Sequence, residues 1–169
     1  MQLPSDFSGL SLPNQVFVLV NLERVDRKLS PVTGELASLD QLAQVGAQNG
    51  DDPVVPSGLP GVPVSAWGAN WASTGTNVDA VYEWMYNDGL GGFNKDCDAA
   101  NLSRCWDHRD TILGFQNDIT NYGGSLSFGA DTVNTGTGNT SVAMVITWSS
   151  QAPSGYYYLW SQAVADGAL

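Results

Sequence analysis

Apolar positions change their rhythm about two-thirds of the way along this chain. In Val16-Phe17-Val18-Leu19-Val20-Asn21-Leu22-Glu23-Arg24, the apolar residues Phe17, Val20 and Val25 keep a broadly helical spacing. The Val and Phe content also permits a strand. Asn14 at a cap position and the polar end from Asn21 to Arg27 favour a helix. Leu29-Ser30-Pro31-Val32 then turns the chain, with an apolar anchor on either side. A second helix is predicted from Ser38, as its cap, to Gln48, with Leu39, Leu42, Ala43 and Val45 as its buried stripe. The Gly-, Pro- and Asp-rich stretch from Asn49 to Pro63 reads as an irregular surface loop.

After Trp67-Gly68-Ala69-Asn70-Trp71-Ala72, Asn77 is expected to cap a helix running from Val78 to Tyr86, stopped by Asn87-Asp88-Gly89. Gly89 to Arg104 reads as a loop, and Asp107 as the cap of a short helix from His108 to Leu113. The final third reads as strands: Gly124 to Ala130, Ser141 to Trp148, and one more at Tyr156 to Trp160. Helices first and strands last, without βαβ alternation, predict an α+β fold. The chain shows no internal repeat, so residues 14–169 are expected to form a single domain behind a lead-in segment, residues 1–13. A chain of this size buries roughly 70% of its unfolded surface.

Charge narrows the partners. Seventeen acidic residues against six basic ones give a net charge of −11. Such a surface repels nucleic acid and anionic membranes. No apolar run approaches the ~20 residues that span a bilayer, so membrane insertion is not expected. Met1-Gln2-Leu3-Pro4 lacks the basic start and long apolar stretch of a secretory leader. The low charged fraction and the many Gly, Ser, Thr and Asn residues suit an extracellular protein, so the chain is expected to begin after a removed leader.

Chemistry concentrates around the single histidine, His108. One imidazole excludes a multi-histidine zinc site within the chain, and any Ser-His-Asp arrangement must use His108. A helix-packing role for His108 is the alternative. Cys97 and Cys105 bracket a short loop directly before it. A disulfide closing that loop would contribute about 2–3 kcal/mol and implies an oxidising compartment. The alternatives are two reduced thiols, or two zinc ligands supplemented by His108 and Asp98. No Gly-x-Ser-x-Gly elbow, phosphate-binding glycine loop or EF-hand loop occurs.

Several segments, in order, resemble the CAP superfamily of cysteine-rich secretory, antigen 5 and pathogenesis-related proteins and their bacterial secreted relatives. Asn21-Leu22-Glu23-Arg24 with Leu29-Ser30-Pro31-Val32 resembles the family's first helix and turn, and Gly68-Ala69-Asn70-Trp71-Ala72 its Gly-Glu-Asn-Ile-Ala segment. Glu83-Trp84-Met85, Asp107 to Leu113 and Tyr158-Leu159-Trp160-Ser161-Gln162 resemble later family segments. The resemblance spans residues 14–165 and implies an α-β-α sandwich. Many members hold a divalent metal between two histidines and two glutamates. Here Asn49 to Pro53 stands where one histidine belongs, Ala69 replaces one glutamate, and Asn87 falls where a helix acid is expected. The metal site is therefore read as degenerate, and no metal or other cofactor is expected.

What remains is a groove around His108 and Glu83 with Asn70, Trp67, Trp71, Trp84 and Trp106 as candidate ligand contacts. Core packing is the alternative for each tryptophan, a turn for Asn70, and a solvated helix face for Glu83. Two functions follow. One is a secreted binding module for a small extracellular ligand: lipid, sterol, peptide or cell-wall glycan. The other is a hydrolase of glycans or esters with His108 and Glu83 in acid/base roles. A glycosidase would pair Glu83 with Asp88 or Asp107.

Overall fold

In a computed structural model, which describes residues 2–136 and 138–169, the fold is α+β. Its order is α1 (Leu12–Asp26), β1 (Gly34–Glu35), α2 (Ala37–Asn49), β2 (Ala66–Thr74), α3 (Asn77–Tyr86), α4 (Asp107–Leu113), α5 (Gln116–Tyr122), β3 (Ser125–Asn134), β4 (Thr140–Ser149), β5 (Tyr158–Leu159) and α6 (Trp160–Ala165). Among the described residues the strands form one sheet in the order β2-β4-β3-β1-β5. No helix among them is long and apolar enough to cross a membrane.

Alternation along the two long strands builds a three-layer sandwich. On β4, Val142, Met144, Ile146 and Trp148 join Leu126, Phe128 and Ala130 of β3 in the main core, with Val16, Phe17 and Val20 of α1 and Trp84 and Met85 of α3. The intervening Ala143 and Val145 face the other way, towards Ala43 and Leu39 of α2. Helix α2 lies so close to β3 that a Cβ at Gly129 would fall 2.2 Å from the carbonyl carbon of Leu39. The sheet is mixed: β1 pairs parallel with β3, while the other pairings are antiparallel.

Several boundaries differ from the sequence reading. Helix α1 begins at Leu12, not after Asn14. Ser11 accepts from the Asn14 N–H at 3.4 Å, and Pro13 sits in the first turn, where a missing N–H costs nothing. Helix α2 starts before Ser38 without a side-chain cap, and Val45, expected in its buried stripe, is exposed. Thr76, not Asn77, caps α3 through the Asp79 N–H. Trp67 to Ala72 lies in an edge strand, β2, paired with β4 along its length. At the other end of the sheet the chain leaves β5 after Leu159, and Trp160 opens a helix instead of ending a strand. The Gln162 side chain accepts from the Leu159 N–H at 2.8 Å there. Helix α5 occupies a stretch to which the sequence assigned no element.

Two residues of the Asn21-Leu22-Glu23-Arg24 segment hold the layers together. Asn21 clasps Val32 through both its amide oxygen and nitrogen. The buried Arg24 donates to the carbonyls of Ser30, Ile112 and Gly114, tying α1 to the end of α4. Desolvation pulls its guanidinium down to about 10. On β1, Glu35 is fully buried, opposite Phe128 and Tyr158, and neither of its carboxyl oxygens has a hydrogen-bond partner among the described residues. Burial, aided by the charge of Asp40, pushes Glu35 up to about 9.

Candidate functional site

Edge strand β2 leaves one side of the sheet unpaired, and a half-open cavity of about 230 Å³ lies against it. Trp71 enters the lining from the α2 face of the strand and Ala72 from the opposite one. The Trp71 indole donates to Ser141 Oγ at 2.7 Å, and that hydroxyl donates to the Ala47 carbonyl of α2 at 2.6 Å. Trp84 of α3 is almost fully buried beneath it, donating from its indole to the Trp71 carbonyl at 3.1 Å. Phe93 contributes a third, exposed ring.

His108 reaches this cavity from the first turn of α4. A short helix leaves its first N–H groups without intrahelical partners. Here a residue distant in sequence supplies them, which replaces the expected cap at Asp107: Asp107 lies inside the helix, and Trp106 precedes it at φ 72° without a side-chain cap. The Asp88 carboxylate accepts from the N–H of His108 at 3.0 Å and of Arg109 at 3.4 Å. Its other oxygen faces His108 Nδ1 at 2.6 Å. Across the ring, Nε2 lies 3.6 Å from Asp52. Burial alone would lower the imidazole, but its interaction with Asp52, its hydrogen bond to Asp88 and the charges of both carboxylates outweigh it and hold His108 up at about 9. At neutral pH it is an imidazolium with a carboxylate at each nitrogen.

The expected site residues divide in space. Glu83, Trp71, Trp84 and His108 line one cavity. Glu83 accepts from the Asn87 amide at 2.6 Å. Asn70 lies behind the lining, fully buried, and donates to the His108 carbonyl at 2.8 Å, so it holds the start of α4 in place. Trp106 lies outside the lining, under the Arg109 guanidinium and so close to Gly89 that a Cβ there would sit 2.6 Å from its ring. Trp67 is exposed at the far end of β2, away from the cavity. Cys97 and Cys105 form a disulfide with Cα atoms 4.6 Å apart, closing a short loop that directly follows the lining residues Asn94, Lys95 and Asp96.

Sequence reasoning did not single out Asp51, Asp52, Phe93, Lys95 or Asp96, which also line the cavity. A signal existed for three of them. Asp51-Asp52 stand where the family resemblance places a histidine, and Lys95 is one of few cations in a strongly acidic chain. Lys95 Nζ lies 4.8 Å over the Trp71 ring.

No family model matches the chain, and no curated protein matches it. Among solved structures it is similar to Schistosoma mansoni venom allergen-like protein 4, at 14% identity and a TM-score of 0.51 over 87% of this chain and 96% of that one. A structure of MpPR-1i is 17% identical over 94% of this chain and 96% of that one, with a TM-score of 0.41. The likeness to the venom allergen-like protein shows a shared fold.

Proposed function

We propose that this chain is a divergent CAP-type domain, acting outside the cell, whose cavity beside β2 binds a small ligand, with His108 as a fixed positive charge in its wall. The observation that carries this reading is the placement of His108 between Asp88 and Asp52. A general base must be neutral at working pH and free to reach its proton. An imidazolium held at about 9, with a carboxylate at each nitrogen, is neither. Among the described residues no hydroxyl hydrogen-bonds its ring, so a nucleophile–base pair is missing as well. Asp88 is equally committed, to the ring and to the start of α4. Asp107 pairs with Arg104 outside the cavity lining. The hydrolase alternative is thereby left with Glu83.

Asp52 comes from the segment where the resemblance places a histidine, and it faces His108 as an ion-pair partner. We read this as an internal salt bridge standing where relatives coordinate a cation. The disulfide supports action in an oxidising compartment.

The test pairs binding with turnover. A fragment panel of small cations, anions, sugars and alcohols, screened by ligand-observed NMR, is expected to give hits that perturb the Trp71 indole signal. Ester and glycan panels are expected to show no turnover. Hydrolysis by the natural chain that disappears in His108→Gln would overturn the binding-module reading.

A further inference from the structure

The cavity lining sorts sharply by charge. Five carboxylates, from Asp51, Asp52, Glu83, Asp88 and Asp96, share it with two cations, Lys95 and His108. His108 engages Asp52 and Asp88. Among the described residues, Asp51, Glu83 and Asp96 have no ion-pair partner. An unbalanced acidic lining is not by itself a ligand site. What gives it chemistry is the place chosen by Lys95.

Surrounded by carboxylates, the Lys95 ammonium pairs with none of them at salt-bridge distance; it lies over the face of Trp71, 4.8 Å from the ring centre. An indole face attracts a cation through its quadrupole, and more strongly where water is thinned out. The indole cannot swing away to avoid that contact, because its N–H is fixed to Ser141. Lys95 itself is exposed, on a loop, so its side chain is displaceable. The chain's own alkylammonium therefore shows what the wall of the cavity accepts.

Size and field agree with that chemistry. At about 230 Å³ the cavity falls below the roughly 300–1,000 Å³ of pockets for drug-sized ligands. It suits a small molecule or one side chain, and not a sugar chain. The net charge of −11 draws cations towards the surface and repels anions.

We propose that the cavity binds a primary alkylammonium, seated over Trp71 in the position Lys95 takes here, with Glu83 and Asp51 as counter-charges. This rests on the cavity being a ligand site, and it names the class of ligand. The same group is offered by a free aliphatic amine and by a lysine side chain of a peptide.

The natural chain, titrated with hexylammonium and followed by tryptophan fluorescence and by the indole NMR signal of Trp71, is expected to bind it in a salt-sensitive way. Hexanoate and hexanol, of the same length, are expected to bind much more weakly. Lys95→Ala removes the resident competitor and is expected to tighten hexylammonium about two- to five-fold, the scale of an exposed cation–π contact. Glu83→Gln is expected to weaken it by a similar factor and flatten its salt dependence. Both side chains lie outside the buried core, so these variants test the proposal without depending on Trp71→Leu, which also removes a buried hydrogen bond. Acetyl-lysine methylamide separates the sources: binding comparable to hexylammonium supports a peptide lysine, and its exclusion supports a free amine.

Hexanol binding as tightly as hexylammonium would overturn the ammonium proposal while leaving the cavity a ligand site. An unchanged affinity in Lys95→Ala would overturn the seat over Trp71. No binding by any of the probes, while fragments of another class still perturb Trp71, would reject the ligand class alone. If no fragment of any class perturbs Trp71, the binding-site reading falls with it.

Discussion

Glu35 on β1 is a buried and His108 on α4 a half-buried ionisable side chain, and both are shifted to about 9. They arrive there by opposite routes. Glu35 lies among Phe128 and Tyr158 with no polar partner for either oxygen, so desolvation keeps it protonated and neutral. His108 is desolvated too, but Asp52 and Asp88 more than compensate and keep it charged. One end of the sheet tolerates an ionisable group by discharging it; the other builds a polar network around one. The second solution is the one found beside a cavity, where charge has something to act on.

The two routes leave the same sign in the pH dependence of stability. Folded Glu35 keeps a proton that the unfolded chain sheds above 4.5, so its contribution is lost as pH rises from 4.5 to about 9. Folded His108 keeps a proton that the unfolded chain sheds above 6.5, so its contribution is full below 6.5 and lost by about 9. The windows differ at their lower edge, and single variants can separate them.

The largest expected effect comes from breaking the paired site. Asp88→Ala strips His108 of its Nδ1 partner and α4 of its cap, and is expected to destabilise the fold by about 3–5 kcal/mol in urea unfolding. The imidazole should move down towards 6.5, readable by NMR because His108 is the only histidine. A titration left near 9 in this variant would mean that Asp88 does not hold the charge.

The unpaired site should respond with the opposite sign. Glu35→Met removes a carboxyl whose ionisation in the unfolded chain costs stability on the order of 3 kcal/mol at pH 7. The variant is expected to be more stable by about that much at pH 7, with a flatter profile between pH 4.5 and 9. Equal stability of the two proteins at pH 7 and 8.5 would show that Glu35 has a counter-charge or reaches water.

Next in size is the disulfide. Replacing both cysteines, as Cys97→Ser with Cys105→Ser, is expected to cost about 2–3 kcal/mol from the freed loop. Amide exchange should quicken around Lys95 and Asp96, which directly precede Cys97, and not around Glu35. Uniform quickening across both regions would mean that the bridge supports the whole fold and not the cavity.

What the sequence made legible follows the same division between local and long-range effects. Helices α2 and α3 were readable within one or two residues, because Gly50 and the Asn87-Asp88-Gly89 run punctuate their ends. The apolar run of β4 was readable because a strand buried on both faces needs no polar alternation. Strand β2 was not: Trp-Gly-Ala-Asn-Trp-Ala has no period, and its extended form is imposed by pairing with β4. Trp160 looked like a strand end because it follows three tyrosines, yet the capping by Gln162 turns it into a helix. In the cavity, His108 and Glu83 stood out by residue type. The pairing of His108 with Asp88 spans twenty positions, and nothing local marks such a contact. Glu35 carries no signal at all, because its burial follows from the partners of β1 rather than from its neighbours in the chain.

The smallest expected effect is the control for the whole comparison. Arg104 and Asp107 also form an ion pair, 3.3 Å apart and close in sequence to His108, but their side chains are 67% and 46% exposed. Water already solvates both charges, so fixing them together gains little Coulomb energy and costs side-chain entropy. Arg104→Ala is therefore expected to change stability by less than about 0.5 kcal/mol, with an effect that disappears in high salt. The guanidinium can be removed cleanly, because the bond that Asn94 makes to this residue goes to its backbone carbonyl. If charge pairing near α4 mattered regardless of burial, this variant would approach the loss seen in Asp88→Ala. A small, salt-dependent change assigns the difference to desolvation, which Glu35 and His108 share and which only His108 has carboxylates to offset.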